Sequence, residues 1–291
     1  VNAHVTGGSG FLGGFVIPRL RAHGHDVSAL VRSGAAAARV ERLGATPIPG
    51  NLDDPASVDS AFELSGADVL VNLASLGFGH APSIVAAAEE SGLRRAVFVS
   101  TTSIFTTLDT ATKPVRVAAE EAIRSSRLDW TIVRPTMIYG AGGDRNMARL
   151  LRLLRTVPFV PVPGGGDRLQ QPVHVEDVAA AVVAAAETPS AIRKAYDIAG
   201  PEPLTLRQVL GQAADAVGRP VRVVPLPLAP TVAAARVYER VAHRPRLRAE
   251  QLERLSEDKA FDITPARRDL GFDPRPFVDG IRQEAMATGY T

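Results

Sequence analysis

The stretch HVTGGSGFLGGFVIPRL, residues 4–20, narrows what this chain can fold into more than any other. A strand-like start runs directly into Gly7, Gly10 and Gly13, spaced G-x-x-G-x-x-G, and then into apolar positions at helical spacing. Glycines in this order permit a tight turn, let backbone N–H groups approach a pyrophosphate, and allow the helix to pack close to its sheet, while the helix N-terminus favours the anion. A Gly-rich turn with a purely structural role is the competing reading. The strand before the glycines, the helix after them and the second strand beyond favour the anion cradle.

Downstream, the apolar runs HVT, DVSALVR, ATPIPG, DVLVNLA, RAVFVS and DWTIVRP alternate with FLGGFVIPRLRAHG, AAAARVERLG, PASVDSAFELSG, PSIVAAAEESG and VRVAAEEAIRSS, which carry helical periodicity. Strand, helix, strand repeated in this way predicts a parallel sheet covered on both faces. Right-handed crossovers make it a doubly wound α/β sheet, a Rossmann fold. Past residue 157 the regularity fades into the Pro- and Gly-rich TVPFVPVPGGGDRLQQPVH, followed by a helix VEDVAAAVVAAAE and a strand-like KAYDIAG. Residues 1–157, with 173–190 returning to them, are expected to form the dinucleotide-binding domain. Residues 158–172 and 191–291 are expected to form a smaller α+β substrate lobe.

Composition excludes several alternatives. The 291 residues contain no cysteine, which removes disulfides, thiolate catalysis and cysteine-ligated metals. His23 and His25 are the closest histidine pair and fall in a turn, so no metal site is expected. With 33 Lys+Arg against 31 Asp+Glu the charge is too balanced for a nucleic-acid surface. The basic run Arg244–Arg248 reads as a solvated loop or helix start rather than a polyanion site. No positively charged leader precedes the first strand and no run reaches the roughly 18 apolar residues a membrane span needs, so a cytoplasmic protein with no membrane partner is expected.

The second strand ends in Arg32 and Ser33, where an NAD-selective protein usually carries an acidic residue for the ribose 2′-hydroxyl. A guanidinium instead offers charge-assisted bonds to a 2′-phosphate. NADP(H) is therefore favoured over NAD(H), with a merely superficial arginine as the alternative.

These motifs together resemble the short-chain dehydrogenase/reductase superfamily in its extended or atypical branch of epimerase/dehydratase-like and NmrA-like proteins. The resemblance spans nearly the whole chain: TGGSGFLG, GNLDDPASV, VNLAS, VFVSTTSIF, LDWTIVRPTMIYG, QPVHVEDVAAAV and FDITPARRDLGFDP occur in that family's order. It implies that Gly7, Gly10, Phe11, Leu12 and Gly13 meet the pyrophosphate and Arg32 the 2′-phosphate. It places Asn51 and Leu52 beside adenine, Ala74 and Ser75 under the nicotinamide-side ribose, and Pro135 at the nicotinamide. Asn51 stands where the family commonly has Asp, and its amide oxygen can still accept from the adenine amino group.

The same resemblance implies a Ser or Thr on the reacting oxygen, a Tyr that transfers the proton and a Lys four residues later that tunes the Tyr and binds ribose. Thr102 falls at the first position, beside Ser100 and Thr101; a polar strand end capped by its own hydroxyls is the other reading. Registering the next helix on Glu120 and Trp130 puts Thr112 at the Tyr position and Arg116 at the Lys position. Shifting the register to use Lys113 requires a Tyr at 109, where the chain has Asp109. Arg116 keeps a cation for ribose or phosphate but is a poor proton shuttle. Tyr139 is the nearest substitute acid, with aromatic packing at a strand end as its alternative.

Substrate is expected in the cleft between the carboxyl edge of the sheet and the smaller lobe. Its expected walls are Leu76, Gly77 and Phe78, then Phe105, Tyr139, Arg145 and Asn146, then Gln170, Gln171 and His174. His174 either donates to substrate or satisfies a backbone group. Few fixed charges fall in these segments, which points to a neutral or weakly polar small molecule. Three functions remain open from the sequence. They are an NADP(H)-dependent oxidoreductase acting on a carbonyl or enone with atypical proton transfer, a non-redox dehydratase, cyclase or epimerase on the same fold, and a NADP(H)-sensing protein without turnover. Helix pairs of this fold also admit a homodimer.

Overall fold

The computed structural model describes residues 1–144, 146–242 and 249–290. The first half contains strands β1 (Asn2–Thr6), β2 (Asp26–Val31), β3 (Thr46–Pro49), β4 (Val69–Asn72), β5 (Arg95–Val99) and β6 (Asp129–Pro135). Helices α1 (Gly13–Ala22), α2 (Gly34–Arg42), α3 (Pro55–Ser65), α4 (Ala81–Glu90) and α5 (Lys113–Ser125) alternate with them. Then come β7 (Ile138–Tyr139), α6 (Asn146–Thr156), β8 (Phe159–Pro163), β9 (Leu169–Gln170), β10 (Val173–His174) and α7 (Val175–Glu187). The remaining elements are β11 (Lys194–Ile198), β12 (Leu204–Thr205), α8 (Leu206–Ala216), β13 (Arg222–Leu226), α9 (Leu228–Val241), α10 (Ala249–Glu253), α11 (Thr264–Leu270) and α12 (Phe277–Ala287).

Seven strands form one parallel sheet in the order β11-β6-β5-β4-β1-β2-β3. Its inner strands are buried on both faces, because successive side chains feed two cores. Val69, Val71, Val97 and Val99 join α1 and α7 on one side, and Leu70, Ala96 and Phe98 join α3, α4 and α5 on the other. This is the continuous apolar character of a covered parallel sheet. The chain first builds outward from β1 to β3 and then crosses to β4 on the other side of β1. That reversal opens a crevice at the carboxyl ends of β1 and β4.

Two domain boundaries differ from the sequence expectation. KAYDI, placed in the smaller lobe, is the seventh sheet strand, paired with β6 from Lys194↔Thr131 to Ile198↔Pro135. Helix α7 packs on the sheet with α1 and returns the chain to its edge, as a right-handed crossover does. Helix α6, placed in the nucleotide-binding domain, instead buries Met147, Leu151 and Leu154 in the second core with Val209, Leu210 and Ile281. The pairs β8/β13 and β9/β12 belong to this smaller layer. Both shifts follow from the Pro- and Gly-rich connection, which hides where one core ends and the other begins.

Two buried ionisable groups make the fold sensitive to pH in opposite directions. His4 is fully buried in β1, its ring edge-on to Phe62 and its Nδ1 2.9 Å from Ser28 Oγ, and burial pushes its pKa down to about 4. Glu284 of α12 is 1% exposed, and burial pushes its carboxyl up to about 7. The unfolded chain protonates His4 near pH 6.5, so His4 removes stability as pH falls from about 6.5 to about 4. The unfolded chain ionises Glu284 near pH 4.5, so Glu284 removes stability as pH rises from about 4.5 to about 7. Each effect amounts to about 3 kcal/mol over its window. Urea unfolding between pH 4 and 7 should therefore show Glu284→Gln gaining on the wild type as pH rises, and His4→Leu gaining as pH falls. Parallel pH profiles for all three proteins would refute the assignment.

Candidate cofactor and substrate site

The turn after β1 is shaped for a close ligand. Gly7 has φ +71°, and a Cβ there would lie 2.6 Å from the backbone nitrogen of Ala74, so the ends of β1 and β4 approach as nearly as backbone allows. A Cβ on Gly13 would run into the Gly8 carbonyl, which is how α1 starts so close beneath the turn. The backbone N–H groups of Phe11, Leu12 and Gly13 make no backbone hydrogen bond among the described residues. They stand at the N-terminus of α1, the arrangement that receives a pyrophosphate. Phe11 also touches the 140–143 loop, where a Cβ on Gly143 would lie 3.1 Å from its ring.

Beyond the turn, an open cavity of about 580 Å³ is lined by Arg32, Ser33, Gly50, Asn51, Asp53 and Ser57 among others. Arg32 is exposed at the end of β2, and Ser33 caps α2 by accepting from Ala36 N. The Asn51 side-chain oxygen is engaged by Asp53 N at 3.2 Å, and the Asp53 carboxylate is held by His80 at 2.8 Å. Leu52 does not line this cavity; it packs against the cores beneath. Arg39 on α2 was not anticipated: its guanidinium reaches back to the Gly10 carbonyl at 3.5 Å, bringing a second cation to the glycine turn.

The second cavity, about 570 Å³, opens at the carboxyl ends of β5 and β6. Thr101, Thr102, Phe105, Asn146, Gln170 and Gln171 all line it, so these sequence candidates are gathered at one place. Thr102 is buried and donates only a long bond, 3.4 Å, to the Pro135 carbonyl. Thr101 Oγ1 caps the following turn by accepting from Ser103 N. Ser75 does the same for Gly77 N, and the Arg116 side chain packs over Gly77, where a Cβ would lie 3.1 Å from its Nε. Burial, with the charge of Arg254 adding to it, pushes Arg116 below the ordinary arginine range. Phe105 is backed by Arg134, whose guanidinium lies 5.1 Å from the ring centre and is fixed by Glu120 through Nε at 2.9 Å. Burial pushes the Glu120 carboxyl up, and the bonds from Arg134 outweigh it, leaving the group below its ordinary range.

Other candidates stand elsewhere. Tyr139 is 1% exposed, packed edge-on between His174 and Phe277, with its hydroxyl directed to the Phe277 carbonyl at 3.5 Å. Burial raises its pKa well above the usual phenol, and Tyr139 packs as a core residue that does not line the cavity beside Thr102. His174 is buried as the N-cap of α7, accepting from Glu176 N, and burial lowers its pKa. Gln171 lines the cavity with its amide already consumed, donating to the Gly200 carbonyl at 2.7 Å and accepting from Phe261 N at 2.8 Å. Phe78 is exposed on the surface beside His80 and does not line the cavity. Arg145 and the 244–248 run lie outside the described residues. Helix α5 begins at Lys113, with Thr112 as its N-cap by position, and the Lys113 ammonium is bound to the Thr106 carbonyl at 2.6 Å. The expectation of few fixed charges is also overturned: Arg254, Glu257, Asp258 and Lys259 line the same cavity, contributed by a segment remote in sequence.

A seven-stranded Rossmann sheet, a glycine turn with free amides and a cleft walled by a second lobe define a dinucleotide-binding protein. The chain belongs to the NAD(P)H-binding family, whose model matches residues 7–189. It is 29% identical over 325 residues to a 4-hydroxy-2-methyl-3-oxo-4-farnesyl-3,4-dihydroquinoline-1-oxide ketoreductase of Stigmatella aurantiaca, covering 97% of this chain and 96% of that one. It is likewise 29% identical over 327 residues to a 2-alkyl-3-oxoalkanoate reductase of Stenotrophomonas maltophilia, covering 96% and 97%. Among solved structures, a UDP-glucose 4-epimerase of Thermus thermophilus in complex with NAD shares the fold with a TM-score of 0.74 at 20% identity, covering 100% of this chain and 99% of that one. Among the described residues, no group of three or more His, Cys, Asp or Glu is placed to hold a metal, and no helix is long and apolar enough to cross a membrane.

One glycine of the turn and one of the helix start, Gly7 and Gly14, offer a sharp test. Gly7→Ala forces a side chain into left-handed backbone against Ala74, and should cost about 1–3 kcal/mol of stability and weaken dinucleotide binding at least tenfold. Gly14→Ala, whose Cβ meets nothing nearer than Arg39 Nη2 at 3.7 Å, should leave binding unchanged. It should also raise stability by about 0.5–1 kcal/mol, since alanine suits a helix better than glycine. Fluorescence titration with NADPH and thermal melts read both; equal effects of the two substitutions would contradict this geometry.

Proposed function

We propose that the chain is an NADP(H)-dependent oxidoreductase that reduces a carbonyl- or enone-containing small molecule without the proton-transferring tyrosine usual in its superfamily. One observation carries this reading: the same parallel sheet has an amide-lined glycine turn at the carboxyl end of β1 and, at the carboxyl ends of β5 and β6, a cavity on which Thr102 has a weakly engaged hydroxyl. The two relatives above support it, one named as a ketoreductase and the other as a reductase of 3-oxoalkanoates. A reduced nicotinamide held there would supply the hydride for the electrophilic carbon of the substrate. Thr102 holds the substrate oxygen, exchanging its long bond to Pro135 for a shorter one to the developing alkoxide. Arg116, beside Gly77, takes the place of the usual lysine in anchoring ribose or phosphate, and as an arginine it is no proton donor near neutral pH. With Tyr139 packed away, the alkoxide takes its proton from a group outside α5 or from water in the open cavity.

NADP(H) is favoured by the pair of cations at the adenosine end. Arg32 and Arg39 flank the glycine turn and α2, and the one carboxylate on that wall, Asp53, is occupied by His80. Replacing Arg32 and Arg39 together by Glu should weaken NADPH binding by about 10²-fold or more, two charge-assisted contacts being lost, and leave NADH binding little changed. Equal losses for both cofactors would remove the 2′-phosphate assignment. Turnover is read from NADPH absorbance against a panel of ketones and enones, where Thr102→Val should lower kcat/KM by about 10²-fold. Binding of NADPH with no oxidation by any of them, or dehydrated or isomerised product at constant absorbance, would overturn the oxidoreductase reading.

A further inference from the structure

The cavity beside Thr102 contains an unanswered positive charge. Lys259 lies on its wall, and its side-chain ammonium makes no hydrogen bond or ion pair among the described residues. Its surroundings hold two carboxylates, and both are turned to other partners. Glu257 accepts from Thr106 Oγ1, Thr107 N and Thr107 Oγ1, each at 2.6 Å. Asp258 accepts from Leu169 N at 2.8 Å and Arg168 at 3.1 Å. The other cation on this wall, Arg254, is already paired with Glu250. Burial pushes the Lys259 ammonium below the ordinary lysine range, Glu257 opposes that shift and Arg254 adds to it. A half-buried cation left in this state gains from any anion that enters.

A second donor stands next to it. The Lys259 N–H bonds to the Leu169 carbonyl at 2.8 Å, which sets this segment against β9 and brings Lys259 beside Gln170. Gln170 is 7% exposed on the same cavity wall, and its Nε2 is buried with no hydrogen-bond partner among the described residues. Buried amide donors without partners are uncommon because each costs about 1–3 kcal/mol. The same cavity also has an apolar lining, from Met137 and the tilted pair Phe105 and Phe261 with ring centres 6.1 Å apart.

We infer that this cavity takes an amphipathic carboxylate, its acid group held by Lys259 with Gln170 and its hydrocarbon part laid against Phe105, Phe261 and Met137. Resting on the oxidoreductase reading above, the substrate is then an oxo acid whose carbonyl reaches Thr102 while its carboxylate is anchored by the second lobe. The arrangement separates the reacting oxygen from the recognised charge, so Lys259 selects the substrate and Thr102 orients the bond that changes.

Calorimetric titration of octanoate into the cofactor-saturated protein tests this without turnover. Octanoate should bind, methyl octanoate should bind at least tenfold more weakly, and Lys259→Met should weaken octanoate by about 10- to 100-fold while leaving the ester and NADPH affinities unchanged. Lys259→Arg should restore most of the octanoate affinity, which separates loss of charge from loss of packing and serves if Lys259→Met does not fold. Equal binding of acid and ester by the wild type, or of octanoate by wild type and Lys259→Met, overturns the inference. With a β-keto acid and its methyl ester as substrates, Lys259→Met should raise KM for the acid alone at nearly constant kcat. A fall in kcat for both would instead make Lys259 the proton donor and overturn its assignment as anchor. If neither ketone is reduced yet octanoate binding still depends on Lys259, the redox reading fails and the carboxylate site stands.

Discussion

The contact on which the site depends is the near-touch of two parallel strand ends. β1 and β4 are neighbours in the sheet, and beyond their last paired residues the Leu73 N–H continues the ladder to the Thr6 carbonyl at 2.9 Å. Beneath them Thr6 Oγ1 donates to Asn72 Oδ1 at 2.5 Å in a fully buried position, and Asn72 Nδ2 donates to the Ala74 carbonyl. These bonds hold the β4 exit against the β1 exit so closely that Gly7 has no room for a side chain. Because the strand order reverses at this point, the two chains leave in opposite directions and a crevice opens between them. Helix α1 enters the crevice with its free amides, and the cradle, the adenosine cavity and the substrate cavity all take their positions from it.

Much of this was legible from local pattern. The alternation of apolar runs and amphipathic stretches needs only near neighbours in sequence, and it predicted the first six strands and five helices in order. The glycine turn was legible because its constraint is local backbone geometry. The misplacements share one physical cause: they turn on which core a segment joins. KAYDI carries the residues of a strand whichever sheet it enters, and only the packing of α7 decides that it pairs with β6. Polar residues in the 139–174 region read as substrate contacts because their types suit it, yet Tyr139, His174 and Gln171 are committed to phenol, cap and backbone-bridging contacts that no spacing reveals. Conversely Lys259, Arg254 and Arg39 gave no motif, and their relevance arises only when folding brings remote segments together.

The altered catalytic segment has a structural logic of its own. A tyrosine and lysine one turn apart need both positions on the helix, facing the same way. Here α5 starts at Lys113, so the position one turn before Arg116 is its N-cap, Thr112, outside the helical geometry that would aim a side chain at the cofactor. Lys113 is meanwhile spent on the Thr106 carbonyl, which ties the helix start to the turn following Thr102. The segment thus fixes the wall of the cavity beside Thr102.

That wall is also where the two lobes are joined. Glu257 grips Thr106 and Thr107 at the end of the β5 turn, while its neighbours Asp258 and Lys259 bond to the backbone of Leu169 and Phe261 bonds to Gln171. One short segment of the second lobe therefore bridges the carboxyl edge of the sheet and β9, and in doing so places Arg254 and Lys259 over the cavity. The hydrogen bonds that close the cleft turn the Glu257 and Asp258 carboxylates to other partners, so neither makes a direct ion pair with Lys259. Closure of the lobes and the creation of an anion-seeking pocket are consequences of the same contacts, so a substitution at Glu257 that freed the latch would change lobe closure and substrate charge preference together.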